Sequence, residues 1–198
     1  MKTNKIPVAI LGATGMVGQK FISLLSNHPW FEIKALAASS KSACKTYSEA
    51  VKGRWKIEHP IPEKVKNIKI VNVNEKLPVK IAFSGLDSSI AGEVETFYAK
   101  SGITVISNSK NHRMEEFVPL VVPEINHEHI KIIKKQKKKG IIITNPNCST
   151  IGLTMALAPI HKAFGLEKVI VTTMQAVSGA GYPGVPSMDI LDNVIPNI

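Results

Sequence analysis

The chain has 198 residues, with 25 basic side chains against 15 acidic ones and 44% hydrophobic residues, enough for one well-buried domain or one domain plus part of another. Thirteen glycines, 12 prolines and no repeat or low-complexity tract exclude fibrous and disordered classes, and no apolar run reaches the roughly 18 residues of a membrane helix. The net charge of +10 comes from 23 lysines and only two arginines, Arg54 and Arg113, without aromatics threaded among them, which argues against a nucleic-acid partner.

Ile6 to Leu11 is a short apolar run, Gly12 to Gly18 a glycine-rich turn, and Met16 to Leu25 a helical pattern with Val17, Phe21, Leu24 and Leu25 on one face. A strand-like run from Ile33 to Ala38 follows and closes a β-α-β unit, whose strands are parallel by default. Residues 41–67 are polar, lysine-rich and broken by Gly53, Pro60 and Pro62, and are expected to form a long surface connection with little regular structure. Short β-rich runs then come at Ile68 to Val73, Lys80 to Ser84, Thr104 to Ser107 and Ile141 to Thr144, with helical stretches near 90–100 and 126–138. The lysines at 134, 135 and 137–139 end the second stretch and suit the negative end of a helix dipole on a solvated surface. Alternating strand and helix predicts an α/β fold with a Rossmann-like, doubly wound parallel sheet over residues 1–147.

At Cys148 the pattern changes. A helix is predicted over Ser149 to Phe164, with Leu153, Leu157 and Ile160 on its apolar side, and a strand over Lys168 to Met174. A lone strand cannot satisfy its edges, so residues 148–198 are expected to open a second, incomplete domain.

Gly12-Ala13-Thr14-Gly15-Met16-Val17-Gly18 stands after a strand and before a helix, the setting in which such a turn holds a pyrophosphate on free backbone N–H groups. An NAD-preferring site usually carries an acidic residue at the end of the second strand. Here that position holds Ser39-Ser40-Lys41-Ser42, and hydroxyls with a lysine favour the 2′-phosphate of NADP. Two cysteines and the start Met-Lys-Thr-Asn-Lys, without an apolar stretch behind it, give no secretory signal and no disulfide framework, so a cytoplasmic setting is expected. In Asn145-Pro146-Asn147-Cys148-Ser149-Thr150 the cysteine lies between a strand end and a helix start, where backbone dipoles favour the nucleophilic thiolate. Cys44 has no such feature. A thiolate beside a nicotinamide suggests acyl chemistry, with hydride moving between a thioester or thiohemiacetal carbon and the cofactor. The Cys148 N–H and the Asn147 amide are candidate oxyanion donors, and Asn147 is equally a candidate helix cap.

These residues resemble the aspartate-semialdehyde dehydrogenase family, in particular its archaeal and fungal branch. The matching stretches are Gly12 to Gly18, Phe83 to Leu86, Ser107-Asn108 through Arg113, Val118 to Glu124, Thr144 to Thr150 and Gln175 to Gly181. The last two together are far more specific than the glycine turn. The resemblance implies that Cys148 is the acylated nucleophile, that Thr14 to Val17 with Ser39 and Ser42 hold NADP, and that Ser178 and Gly179 lie near the nicotinamide. It implies that Arg113 grips the acyl phosphate or inorganic phosphate, that Ser84 and Asn108 line the cleft, and that Gln175 contacts the substrate. The implied reaction is the NADPH-dependent reductive dephosphorylation of L-aspartyl 4-phosphate to L-aspartate 4-semialdehyde, on the way to lysine, threonine, methionine and isoleucine, with no metal. The resemblance makes residues 148–198 the beginning of an incomplete α+β substrate and dimerisation domain, through which full-length members usually form homodimers or homotetramers. The family's acid-base histidine and its α-carboxylate arginine match nothing here. His161 is thirteen residues along the helix from Cys148, about 20 Å at 1.5 Å per residue, and His112 adjoins Arg113 in what is expected to be a structural place at a helix start. Two alternatives stay open: a malonyl-CoA-type thioester reductase using the same cysteine, and an inactive NADP-binding fragment.

Overall fold

In this computed structural model, the residues described are 5–137, 139–177 and 184–195. Six parallel strands form one sheet: β1 (Ile6–Leu11), β2 (Phe31–Ala38), β3 (Ile70–Asn72), β4 (Ile81–Ser84), β5 (Thr104–Ser107) and β6 (Ile142–Thr144). Their order is β3-β2-β1-β4-β5-β6, so the chain winds outward from β1 in one direction and then in the other. This is the doubly wound arrangement, whose ligand crevice opens at the carboxyl ends of the strands where the winding reverses, here between β1 and β4.

β1 shows why the sheet must be covered on both faces. Val8 and Ile10 enter one core with Ile22, Leu25 and Leu36, whereas Ala9 and Leu11 enter the other with Ala82, Val94, Tyr98 and Val105. Helix α1 (Met16–Leu25) serves the first core and α4 (Ser88–Lys100) the second. The buried face of α1 is Gly18, Gln19, Ile22 and Leu25, not the predicted Val17-Phe21-Leu24-Leu25 stripe; Val17 and Leu24 are exposed. The helix is rotated because Gly18 must face Gly12, which carries Ile22 inward one turn later.

Residues 41–67 are more structured than expected. They contain α2 (Tyr47–Ala50), closed by a capping box between Thr46 and Glu49, and α3 (Glu63–Lys66). Tyr47, Ala50, Val51 and Val65 are buried in the α1-side core. Four apolar residues spaced among polar ones are enough to dock this connection, although no long periodic run announces it. The predicted helix near 126–138 is α5 (Pro123–Asn126) followed by a 3₁₀ helix over His127–Lys135.

Helix α6 (Cys148–Phe164) begins on the cysteine itself, one residue before the expected start, and α7 spans Ser187–Ile190. Contacts divide the chain into two compact units, Met1–Gly165 and Leu166–Ile198, with α6 wholly in the first. The strand predicted over Lys168–Met174 does not form: these residues have no regular structure, and no described segment pairs with them. A strand without a neighbour has nowhere to place its N–H and C=O groups. Among the described residues no helix is long and apolar enough to cross a membrane.

Candidate active site

The glycine turn is built from close backbone contacts. Gly12 and Ala13 both donate their N–H groups to the Ala37 carbonyl, at 2.9 and 3.1 Å, and Gly12 has a left-handed φ of 74°. A Cβ on Gly12 would lie 2.7 Å from the Gly85 carbonyl oxygen, one on Gly85 would lie 2.8 Å from Val17 Cγ1, and one on Gly18 would lie 2.2 Å from the Gly12 oxygen. Gly12, Gly18 and Gly85 are therefore fixed by the packing of α1 on the ends of β1 and β4. Gly15 differs: it is exposed, and a Cβ there would meet only the Gly12 oxygen at 3.5 Å. The fold does not require a glycine at this position. Its missing side chain leaves clear the N-terminus of α1, which has no acidic residue in its first turn and no side-chain cap. That is the space and polarity a pyrophosphate needs, so these residues fit a dinucleotide.

Two buried side chains hold this turn. The Tyr47 hydroxyl donates to the Ala13 carbonyl at 3.0 Å, and burial pushes its pKa well above the ordinary tyrosine value. Gln19 donates to the carbonyls of Thr14 and Arg54 and accepts from Lys56 N–H. Thr14 is half-buried, while Met16 and Val17 lie on the exposed rim. At the end of β2, Ser39, Ser40 and Lys41 are exposed, Ser42 is buried, and the turn is closed by Ser42 N–H to the Ser39 carbonyl at 2.9 Å.

A second polar assembly occupies the ends of β4 and β5. Ser84 and Ser107 are register partners, and both hydroxyls donate to Glu95 Oε1, at 2.6 and 2.8 Å. Ser84 is fully buried with its hydroxyl committed to Glu95 and its carbonyl accepting from Asn108 N–H at 3.0 Å. Glu95 has no solvent exposure, and its burial raises the carboxyl pKa against the lowering effects of Ser84, Ser107 and His112. His112, also buried, places Nε2 3.5 Å from Glu95 Oε2 and Nδ1 2.5 Å from Glu115 Oε1. It lies in a turn between β5 and α5 and starts no helix.

The next residue, Arg113, donates from Nη2 to the Asn108 carbonyl at 2.9 Å, and its Nε is buried with no hydrogen-bond partner. Burial lowers the guanidinium pKa, and the negative charge of a Cys148 thiolate opposes this. The arginine and the cysteine are thus electrostatic neighbours, brought together from residues 35 apart in sequence. Asn145 joins their two turns: its Nδ2 donates to Asn108 Oδ1 at 2.9 Å, and its N–H to the Ser107 carbonyl at 3.3 Å. Asn147 Oδ1 accepts from Thr150 N–H at 2.9 Å, so this residue caps α6, leaving only its amide nitrogen as a possible donor to a ligand. Cys148 follows as the first residue of α6 and is exposed.

Gln175 belongs to the unit Leu166–Ile198 and is exposed; Ser178 and Gly179 lie outside the described residues. His161 is exposed on α6. Sequence reasoning missed Glu95, Gln19, Tyr47 and Asn145. For Glu95 a signal existed: it shares a helix face with Ala91, Val94, Tyr98 and Ala99, all buried, and a carboxyl on an apolar stripe must be paired.

Fold and site together define an α/β dinucleotide-binding domain that leads directly into a cysteine at a helix start, beside an arginine. Residues 7–133 match the family model for the semialdehyde dehydrogenase NAD binding domain, and residues 157–198 match that for the semialdehyde dehydrogenase dimerisation domain. The chain belongs to the semialdehyde dehydrogenase family. It is 48% identical over 204 residues to the aspartate-semialdehyde dehydrogenase of Cryptococcus neoformans, covering 98% of this chain and 55% of the relative. It is 50% identical over 196 residues to that of Archaeoglobus fulgidus, covering 96% and 56%. The crystal structure of the Candida albicans aspartate-semialdehyde dehydrogenase with NADP superposes with a TM-score of 0.83 at 43% identity, over 98% of this chain and 56% of that one. These relatives are fungal and archaeal, the branch the motifs resemble. The chain spans about half the length of the relatives it matches.

Proposed function

We propose that this chain carries the cofactor site and nucleophile for the NADPH-dependent reductive dephosphorylation of L-aspartyl 4-phosphate to L-aspartate 4-semialdehyde. The observation that carries the reading is the pairing of Cys148, first in α6, with the half-buried Arg113 at the carboxyl edge of a parallel sheet whose crevice also holds the glycine turn. The chemistry follows from those positions. The Cys148 sulfur attacks the acyl carbon, the C–O bond to phosphate breaks, and Arg113 receives the departing phosphate with N–H groups that Lys could not replace in number or planarity. The Cys148 N–H at the helix start, with the Asn147 amide nitrogen, stabilises the oxyanion of the tetrahedral species. NADPH, when bound, supplies hydride to the thioester carbon. Collapse of the resulting thiohemiacetal returns the sulfur and releases the aldehyde.

Gly12, Thr14, Gly15, Met16, Val17 and Gly18 form the pyrophosphate cradle in this reading. Ser39, Ser40, Lys41 and Ser42 take the 2′-phosphate, which the absence of a carboxylate at that turn supports. Ser84, enclosed at the sheet end, acts through its bond to Glu95, and Asn108 through its tie to Arg113; Gln175 is assigned to substrate contact, and Ser178 and Gly179 to nicotinamide contact, on the family resemblance. We place the functional boundary at 147/148, with the glycine turn and the 2′-phosphate turn before it and the nucleophile after it. The match of residues 157–198 to the dimerisation model supports self-association, which we read as a homodimer or homotetramer. We place the enzyme in the cytoplasm, where an exposed nucleophilic thiol stays reduced.

Among the histidines described, His112 is enclosed by Glu95 and Glu115, and His161 is exposed on α6. The chain should bind NADPH and accept an acyl group at Cys148. Cys148→Ser tests the reading. Incubation with an acyl phosphate followed by intact-mass measurement should show acylation of the wild-type chain and none of the variant, with NADPH affinity within about twofold, a difference of about 0.4 kcal/mol. A large loss of NADPH affinity in the variant would make Cys148 structural.

A further inference from the structure

Glu95 and His112 are expensive residues to bury. Glu95 Oε2 and His112 Nε2 are both enclosed without a hydrogen-bond partner, facing each other at 3.5 Å. A buried polar atom left so costs on the order of 1–3 kcal/mol, and an apolar pair of the same volume would stabilise the domain better. What the pair does instead is fix geometry. Glu95 Oε1 ties the last residues of β4 and β5 together through the Ser84 and Ser107 hydroxyls. Ser107 Oγ accepts Ser109 N–H at 3.0 Å, Ser109 Oγ donates to Asn111 Oδ1 at 2.6 Å, and Asn111 Nδ2 donates to the Ser88 carbonyl at 2.9 Å at the start of α4. The turn from Ser107 to His112 is thus anchored at both ends to the helix that carries Glu95. Arg113 is its next residue, and the carbonyl that Arg113 grips is that of Asn108, inside the same turn.

We propose that Glu95 and His112 are positioning residues that hold the Arg113 guanidinium in register with Cys148, and so set the affinity of the phosphate-binding subsite without touching the ligand. Arg113 has one further anchor beside this turn, the Asn145 amide on Asn108, which belongs to the cysteine's own turn. The carboxyl-histidine pair supplies the support from beneath, and Asn145 the link across. The inference rests on the proposed role of Arg113 as the phosphate ligand.

The test is alkylation of Cys148 by iodoacetamide in the full 198-residue chain, followed by peptide mass spectrometry that separates it from the exposed Cys44, across a titration of inorganic phosphate. Phosphate seated on Arg113 protects Cys148, and the titration midpoint reports the subsite. Glu95→Gln keeps the volume and an acceptor for both serines but removes the ionisable carboxyl that faces His112; His112→Phe keeps a ring and removes both nitrogens. Each should raise the phosphate midpoint about tenfold or more, the scale on which small displacements of a positioned group act, while NADPH affinity stays within twofold. If His112→Phe does not fold, Glu95→Gln decides alone. Midpoints unchanged in the variants overturn the inference, as do equal losses of phosphate and NADPH affinity with lowered thermal stability, which mark a purely structural pair. Failure of phosphate to protect the wild-type cysteine overturns the role of Arg113 itself and the inference with it, an outcome distinct from variants that behave like a protected wild type.

Discussion

Gly18→Ala and Gly15→Ala separate what the fold needs from what a ligand needs. At Gly18 the new methyl would sit 2.2 Å from the Gly12 oxygen and 2.8 Å from Ala13 Cα, both main-chain atoms. Ordinary contact begins near 3.4 Å, so the start of α1 must withdraw by about 1 Å. Overpacking of this kind costs about 1–3 kcal/mol, and with rigid backbone on the far side the upper end applies. At about 2–4 °C per kcal/mol for a chain of this size, the unfolding midpoint should fall by about 6–12 °C. Gly15 has φ −78° and ψ 167°, which alanine adopts freely, and the added methyl meets nothing closer than 3.5 Å. The lost glycine cap costs a few tenths to about 1 kcal/mol and the stiffer unfolded chain returns about as much, so the midpoint should move by no more than about 2 °C. The same methyl stands over the first-turn amides, and NADPH should bind at least about tenfold more weakly, or about 1.4 kcal/mol. Thermal unfolding followed by circular dichroism gives the first quantity and quenching of NADPH fluorescence the second. Wild-type NADPH affinity in Gly15→Ala, or equal destabilisation by the two variants, would refute the division of labour among these glycines.

Tyr47→Phe leaves the Ala13 carbonyl without its buried donor and should cost about 1–2 kcal/mol, read as a drop in the urea unfolding midpoint. Because burial raises the Glu95 pKa above 4.5, the folded chain binds this proton more tightly than the unfolded one; the stabilisation is complete below pH 4.5 and is lost as pH rises through the folded value. Urea unfolding of Glu95→Gln and wild type at several pH values should accordingly show the balance moving in favour of the variant as pH rises above 4.5, and a constant difference would contradict it. Arg113→Lys should weaken phosphate-dependent chemistry at Cys148 more than NADPH binding, compared by acyl-phosphate labelling and fluorescence titration; equal losses would assign Arg113 to the fold.

Much of the sheet was legible because its strands announce themselves locally: β5 and α1 fall where the apolar runs and the glycine turn place them. The helix start at Cys148 was legible because a strand end, a cap residue and a helical pattern are all local signals there. What escaped depends on distant pairing. Residues 41–67 look like a loop because Tyr47, Val51 and Val65 are docked by a core that other segments build. The face of α1 was misjudged because hydrophobicity favours Val17 and Leu24, while close backbone approach at Gly18 decides the rotation. Lys168–Met174 has the composition of a strand, but composition cannot supply the neighbour a strand requires. Glu95 and Asn145 were hidden for a related reason: their partners lie on other elements, and only the sheet order brings Ser84, Ser107 and Asn108 to them.

Helix α6 also carries an apolar surface. Met155, Ile160 and Phe164 are exposed on it, the last at 87%. Such side chains attract one another between molecules, while a charge of +10 keeps molecules apart. That repulsion reaches only about 10 Å at 0.1 M salt and shortens further as ions are added. Colloidal stability and phosphate concentration are therefore coupled. A phosphate titration at fixed ionic strength measures the subsite proposed at Arg113, whereas one in which ionic strength rises also measures the tendency of these helices to bring molecules together.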